Sequence, residues 1–135
     1  MKITICGSLT FTDEMNQIAN DLDALGHEVL LPEGVIHQRI HDKDFDSKLS
    51  KINSDAIRKH FTKIEKSNAI LVCNYTKNNI ENYIGANTFI EMAYAHYLNK
   101  PIFCLNKLPD MKYIDDELAA FGAKILNSDL EKISI

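Results

Sequence analysis

The sequence predicts an α/β fold in which a parallel sheet is covered by helices on both faces. Two observations support this: strand-like and helix-like segments alternate along the chain, and the strand-like segments are apolar almost throughout. A length of 135 residues, with 45% hydrophobic and 25% charged residues, is typical of one globular domain. We therefore expect a single domain over residues 1–135, a three-layer sandwich of the flavodoxin-like or Rossmann-like type with a parallel five-stranded sheet.

Five short apolar segments bounded by turn residues are predicted to be the strands. They are residues 2–6, Val29–Leu31, Ala69–Cys73, Pro101–Leu105 and Ala123–Leu126. Gly7 and Ser8 close the first strand, and Pro32 ends the second.

The helices are predicted from apolar residues at helical spacing. In the first helix Thr12 is the predicted N-cap and Gly26 the terminator. Residues 33–46 are predicted to form a long polar loop. The other predicted helices are one carrying Leu49 to Ile64, an almost wholly apolar one from about Asn87 to Leu98, and a short one from Asp115 to Phe121.

Charge and cysteine usage indicate a cytoplasmic protein. The net charge of -4 is spread along the chain, which argues against a nucleic-acid partner. The sequence contains no apolar run of membrane-spanning length and no signal-peptide pattern, so we expect no membrane association. The three cysteines, Cys6, Cys73 and Cys104, lie far apart in apolar runs, which predicts buried, reduced thiols.

A ligand site is expected beyond the carboxyl ends of the strands, where such sheets bind ligands. Gly7 would let a ligand approach the backbone, and Ser8 could bond a sugar hydroxyl or a phosphate. A plain tight turn explains these two residues equally well. Asn74 opens the loop after the third strand, and Gly85 lies near its end.

Glu91 is the only formal charge between Asn87 and Asn99, on a helix that otherwise resembles a buried one. A carboxylate there is either exposed to a cleft or neutralised by local hydrogen bonds. Thr88 and Glu91 fit the S/T-x-x-E capping box, in which the glutamate bonds back to the backbone. The spacing alone favours the cap slightly, although the N-terminal turn of a helix also favours anions.

Other polar clusters are predicted to be solvated loop residues, so we expect no metal site and no cofactor. His37 and His41 lie near Asp42, Asp44 and Asp46, but the segment does not read as a helix, and the spacing fails the calcium-loop pattern. Arg39 could hold a phosphate or be a free surface arginine. The loop after the first strand is not a G-x-G-x-x-G fingerprint, and it lacks the hydroxyl run expected of a flavin-binding redox protein.

Two segments together carry a resemblance to a known family. They are Ile5-Cys6-Gly7-Ser8 and the stretch from Gly85 through Glu91 to Ala95, which precedes a Lys100-Pro101 strand. The chain resembles, over its whole length and in order, the nucleoside 2-deoxyribosyltransferase superfamily, which includes the 2'-deoxynucleoside 5'-phosphate N-hydrolases.

The resemblance implies cleavage of the N-glycosidic bond of a nucleoside or nucleoside 5'-monophosphate, by hydrolysis or else by transfer to a second base. It places Glu91 at the position of the catalytic nucleophile. It implies a small-molecule partner, no cofactor and a homo-oligomer, a dimer or larger. The implied substrate-binding residues are Cys6, Gly7, Ser8, Asn74, Gly85, Asn87 and Thr88.

Three positions depart from the family pattern. Thr4 stands where the N-hydrolases have a tyrosine, His60 where they have an aspartate, and Asn87 where glycine is frequent. The alternative function is therefore a non-catalytic nucleotide-binding or sensing module of the same fold. For the enzyme, candidates to protonate the leaving base are Asp110, Asp115 and Asp116, among which the sequence does not choose.

Overall fold

The computed structural model describes residues 1–34 and 55–134 and confirms the predicted α/β fold. Five strands form one sheet: β1 (Lys2–Cys6), β2 (Glu28–Leu30), β3 (Ala69–Val72), β4 (Ile102–Cys104) and β5 (Lys124–Ile125). The strand order is β2-β1-β3-β4-β5, and every pair is parallel. This is the flavodoxin-like order.

The described helices cover both faces of the sheet. They are α1 (Thr12–Ala24), α2 (Ala56–Lys66), α3 (Ala86–Tyr97) and α4 (Asp115–Ala120), with 3-10 turns at Leu9–Phe11 and Leu130–Lys132. No helix in these two ranges is both long and apolar enough to cross a membrane. Two predictions concern residues outside the described ranges. One is the start of the predicted second helix, at Leu49. The other concerns the candidate metal or phosphate ligands, which are His37, Arg39, His41, Asp42, Asp44 and Asp46.

The predicted N-cap of α1 is wrong. Thr12 is the first residue of the helix, and its hydroxyl donates to the Leu9 carbonyl at 2.6 Å. The chain makes a 3-10 turn before α1, and Ser8 caps that turn instead, accepting from the Thr10 amide at 3.3 Å. The helix end is as predicted, because Gly26 follows it with φ 92°, a conformation that glycine adopts without strain.

Alternation along β1 separates two apolar layers. Ile3 and Ile5 pack with α1, whereas Cys6 packs with residues of α2, α3 and α4. Cys6, Cys73 and Cys104 are all buried free thiols, as predicted. Because Cys6 is the last residue of β1, its side chain lies at the carboxyl edge of the sheet on the α2–α3 side.

The strand order reverses at β1, which pairs with β2 on one side and β3 on the other. The connections from these neighbouring strands therefore diverge and leave a crevice beyond their carboxyl ends. This topological switch point positions the candidate site.

Candidate active site

A cleft opens at the switch point, between the turn after β1, the residues after β2, the loop after β3 and the N-terminal half of α3. Six of the eight residues that the sequence predicted for the site line this cleft: Gly7, Ser8, Gly85, Asn87, Thr88 and Glu91. The remaining two, Cys6 and Asn74, do not.

Glu91 is not part of a capping box. The N-cap of α3 is Gly85, so Thr88 is the third helical residue and Glu91 lies in the second turn. Among the described residues, no backbone amide donates a hydrogen bond to either oxygen of Glu91. The side chain is 12% exposed, and Oε2 has no aligned hydrogen-bond donor. Glu91 thus lines the cleft, while its buried Oε2 lies against α2 without an aligned hydrogen-bond donor.

His60 of α2 lies directly against this carboxylate. Its Nε2 is 2.7 Å from Glu91 Oε2, close enough for strong electrostatic contact although not aligned as a hydrogen bond. The same Nε2 contacts Cys6 Sγ at 3.4 Å. His60 Nδ1 is buried and without a partner. We assign the ring proton to Nε2, because that is the nitrogen that faces acceptors.

Cys6 lies behind the cleft and does not line it, which corrects its predicted role in binding substrate. The residue has no exposed surface. Burial raises the pKa of its thiol well above the usual value, and the negative charge of Glu91 raises it further. Cys6 therefore remains a thiol, and its side chain lies against His60 and Glu91.

Cys6, His60 and Glu91, called here the buried triad, could also hold a metal ion. One donor atom from each lies within 4.8 Å of the other two. Sulfur, imidazole nitrogen and carboxylate oxygen are the ligand types that Zn²⁺ takes. Binding would require loss of the Cys6 proton, which the raised pKa of this thiol opposes.

Asn74 is a second correction. It is 1% exposed, and its side-chain amide is bonded on both sides: Nδ2 donates to the carbonyls of Asn106 and Lys107, and Oδ1 accepts from the Asn106 amide. These bonds use both hydrogens of the amide nitrogen, and burial keeps the side chain away from the cleft. Asn74 instead joins the loops that follow β3 and β4.

The turn after β1 leaves no room for a side chain at Gly7 and uses Ser8 Oγ as a hydrogen-bond acceptor. A Cβ on Gly7 would lie 3.0 Å from Met15 Sδ and 3.2 Å from the Cys73 carbonyl oxygen, so only glycine fits without displacement. Ser8 Oγ caps the 3-10 turn and also accepts from Lys77 Nζ at 3.0 Å. The tight turn and the ligand site are therefore compatible at this position.

The charges that line the cleft are of both signs. Glu33, after β2, is paired with Lys63 at 3.0 Å. Although its partial burial acts to raise the pKa of Glu33, the hydrogen bond and charge of Lys63 hold that pKa below its usual value. Lys77 is the one lysine or arginine among the lining residues that the structure describes.

The sequence analysis names only some of the residues that line the cleft. Glu33, Lys77 and Tyr83 are among those that it does not single out, and it names His60 only as a departure from a family pattern. Asp110, Asp115 and Asp116, weighed as acids, do not line the cleft, and Asp115 Oδ1 accepts from the Met111 amide at 2.8 Å. A signal for Lys77 was present in the Asn78-Asn79 pair that follows it, because asparagine pairs favour tight turns.

Comparison with known proteins shows likeness in structure. No protein-family model and no curated protein sequence matches the chain. A 2-deoxyribosyltransferase from Bacillus psychrosaccharolyticus superposes with a TM-score of 0.54 and 17% identity, covering 86% of this chain and 81% of that one. The CMP N-glycosidase BcmB of Clostridium botulinum superposes with a TM-score of 0.54 and 14% identity, covering 93% and 85%. The resemblance predicted from the sequence is thus confirmed in the fold, which this chain shares with a 2-deoxyribosyltransferase and a CMP N-glycosidase.

Proposed function

We propose that the protein cleaves the N-glycosidic bond of a nucleoside or nucleoside 5'-monophosphate, with Glu91 as the nucleophile. The observation that carries this proposal is the environment of Glu91. Glu91 lines the cleft, its carboxylate lies 2.7 Å from His60 Nε2, and among the described residues no backbone amide bonds to it. The two similar proteins named above are a 2-deoxyribosyltransferase and a CMP N-glycosidase, and transfer or cleavage at an N-glycosidic bond is the chemistry proposed here.

The reaction proceeds in two steps. Glu91 attacks C1' of the sugar, the bond from C1' to the base nitrogen breaks, and its electron pair leaves with the base, which takes a proton from solvent. The intermediate is an ester between Glu91 and the sugar, as in retaining glycoside hydrolysis. Water then cleaves this ester and returns a proton to solvent. A second base in place of water would give transfer.

His60 acts in this scheme as a positioning residue. With its proton on Nε2, the ring presents a dipole to the carboxylate and fixes it next to the cleft. Thr4, which replaces the tyrosine of the resembled N-hydrolases, cannot assist, because it is buried and bonded to Ser67. This loss favours the alternative, a module that binds nucleotides without turnover, and the experiment must separate the two.

The test is release of free base, measured by chromatography, from the common nucleosides and their 5'-monophosphates. We expect the wild type to release base and Glu91→Gln to lose at least about a thousandfold in rate while keeping ligand binding in thermal-shift assays. Glu117→Gln is the matched control, since Glu117 is exposed and outside the cleft lining. Ligand-induced stabilisation without base release from any compound would establish the sensing module instead.

A further inference from the structure

The carboxylate of Glu91 carries a buried negative charge that no lysine or arginine balances within the described ranges. Its Oε2 is buried and has no aligned hydrogen-bond donor. The ion pairs found in those ranges give Glu91 one partner, the imidazole of His60, and place every lysine and arginine on other carboxylates. Buried charges in proteins are paired with an opposite charge or coordinate a metal ion. The surroundings of Glu91 are therefore short of positive charge.

The donor atoms of the buried triad have the spacing of ligands around a small ion. His60 Nε2 lies 3.4 Å from Cys6 Sγ and 2.7 Å from Glu91 Oε2. The usual bond lengths of Zn²⁺ place the sulfur, nitrogen and oxygen ligands of a tetrahedral site about 3.3 to 3.6 Å apart. The spacing of Cys6 and His60 already fits this geometry, and the carboxylate of Glu91 needs to withdraw by roughly half an ångström.

The three ligands are held by three separate elements of the fold. Cys6 ends β1, His60 belongs to α2, and Glu91 belongs to α3. No sequence motif contains all three, which explains why the sequence predicts no metal site. Cys6 has no exposed surface, whereas His60 and Glu91 are largely buried but line the cleft. An ion can therefore enter from the cleft, and water there can occupy a fourth ligand position.

We propose that the buried triad is a Zn²⁺ site with Cys6 Sγ, His60 Nε2 and a carboxylate oxygen of Glu91 as ligands and one open position towards the cleft. Binding breaks the S–H bond of Cys6 and releases its proton to solvent. The ring proton of His60 moves from Nε2 to Nδ1, which has no hydrogen-bond partner to lose. No electron is transferred. The thiolate and the carboxylate together bring two negative charges, which neutralise the ion in a site that contains little water.

The raised pKa of the Cys6 thiol does not exclude it as a ligand. Burial raises this pKa most, and the negative charge of Glu91 raises it further, because both disfavour a free thiolate. A divalent cation is attracted by the thiolate and by Glu91 alike, and metal coordination deprotonates thiols. The carboxylate that opposes the free thiolate therefore favours the thiolate that is bound to metal.

Occupation of the site is incompatible with the proposed reaction. A lone pair of Glu91 that is bonded to Zn²⁺ is unavailable to attack C1' of a sugar, so the metal-bound protein is the inactive form. This consequence rests on the proposed function, whereas binding of the ion does not. The test of the site therefore measures binding in the absence of substrate.

The experiment is titration calorimetry of the reduced, metal-free protein with zinc chloride. We expect one ion to bind at the triad, and Cys6→Ala and Glu91→Gln each to weaken the Kd by at least about tenfold. Glu91→Gln keeps nearly the same side-chain volume, which guards against a folding defect in Cys6→Ala. Cys73→Ala is the matched control and should bind as the wild type does, because Cys73 is also a buried thiol but packs in the other apolar layer. No binding by the wild type, or equal binding by the wild type and both triad variants, would overturn the proposal.

Cobalt gives a second readout that identifies the sulfur ligand. Co²⁺ bound to a thiolate has a strong charge-transfer band in the near ultraviolet, which we expect in the wild type and in Cys73→Ala but not in Cys6→Ala. A band that persists in Cys6→Ala would assign the metal to other ligands and refute the site. Because neither measurement needs turnover, a wild type that binds Zn²⁺ at the triad but releases no base contradicts the proposed function alone, whereas one that releases base but binds no Zn²⁺ contradicts the metal site alone.

Discussion

Replacing His60 tests how the carboxylate of Glu91 is held. His60 is 5% exposed, and its Nε2 contacts Glu91 Oε2 at 2.7 Å and Cys6 Sγ at 3.4 Å. A donor that becomes aligned on this carboxylate in the transition state would contribute about 1.5 to 3 kcal/mol. If that interaction positions Glu91 in the transition state, His60→Ala lowers kcat/KM roughly 10- to 150-fold.

A second substitution at this residue separates positioning from proton transfer. Glutamine carries an amide nitrogen at about the reach of histidine Nε2 but cannot exchange a proton. Positioning predicts that His60→Gln recovers most of the activity and keeps the wild-type pH profile. Proton transfer predicts that Gln is as poor as Ala and that one limb of the profile disappears.

The assay is base release as a function of pH, with circular dichroism to establish that each variant is folded. His96→Ala is the control, since His96 is exposed on α3 and contacts Phe121 instead of the cleft. A folded His60→Ala protein with wild-type kcat/KM would refute the argument that the histidine holds the nucleophile.

Three further predictions concern the buried triad, the turn after β1 and the other two buried cysteines. Zn²⁺ must displace the Cys6 proton to bind the buried triad, so it should inhibit base release more strongly as pH rises, with Cys6→Ala less sensitive than the wild type and EDTA leaving the wild type unchanged; inhibition that Cys6→Ala does not weaken would exclude the triad. Gly7→Ala should lower the free energy of unfolding by about 1 to 3 kcal/mol, because the new Cβ would lie 3.0 Å from Met15 Sδ. Urea unfolding measures this, and an unchanged midpoint would contradict it. Burial raises the pKa values of Cys73 and Cys104 to about 12, whereas an unfolded thiol titrates near about 8.5. The free energy of unfolding should therefore fall as pH rises from about 8.5 towards 12, because only the unfolded chain loses these protons there. Equal urea midpoints at about pH 7.5 and about pH 10 would count against this.

The fold was predictable because its signals are local. Five apolar runs separated by helical periodicity specify a parallel sheet, and a sheet with right-handed crossovers leaves its ligand site at the carboxyl edge. Gly7 and Ser8 were predicted at the site from their place after the first strand. For Glu91 the spacing alone favoured a cap slightly, and its place at the site was implied by the family resemblance.

The errors concern side-chain partners, which local patterns do not determine. The segment Gly85-Ala86-Asn87-Thr88 contains several acceptable helix starts, and a shift of three residues converts a capping glutamate into one that faces the cleft. Asn74 follows a strand, as a site residue should, but its amide is bonded by the Asn106 loop, 32 residues further along the chain.

The meeting of His60 with Glu91 depends on how two helices pack, which explains why no motif contains both. The rings of Phe61 in α2 and Tyr94 in α3 stack with their centroids 4.4 Å apart. Phe61 follows His60 directly in the chain, and Tyr94 comes three residues after Glu91. Lys100 Nζ donates to the carbonyl of Glu65 in the last turn of α2 at 2.8 Å and to that of Ser67, just after the helix, at 2.6 Å, which ties the end of α2 to the segment that enters β4. Since Nε2 and Oε2 are in contact, a small shift between the helices would separate them. The position of the Glu91 carboxylate is therefore set by helix packing remote from the cleft, and substitutions at the α2–α3 contact should act on the proposed reaction through this distance.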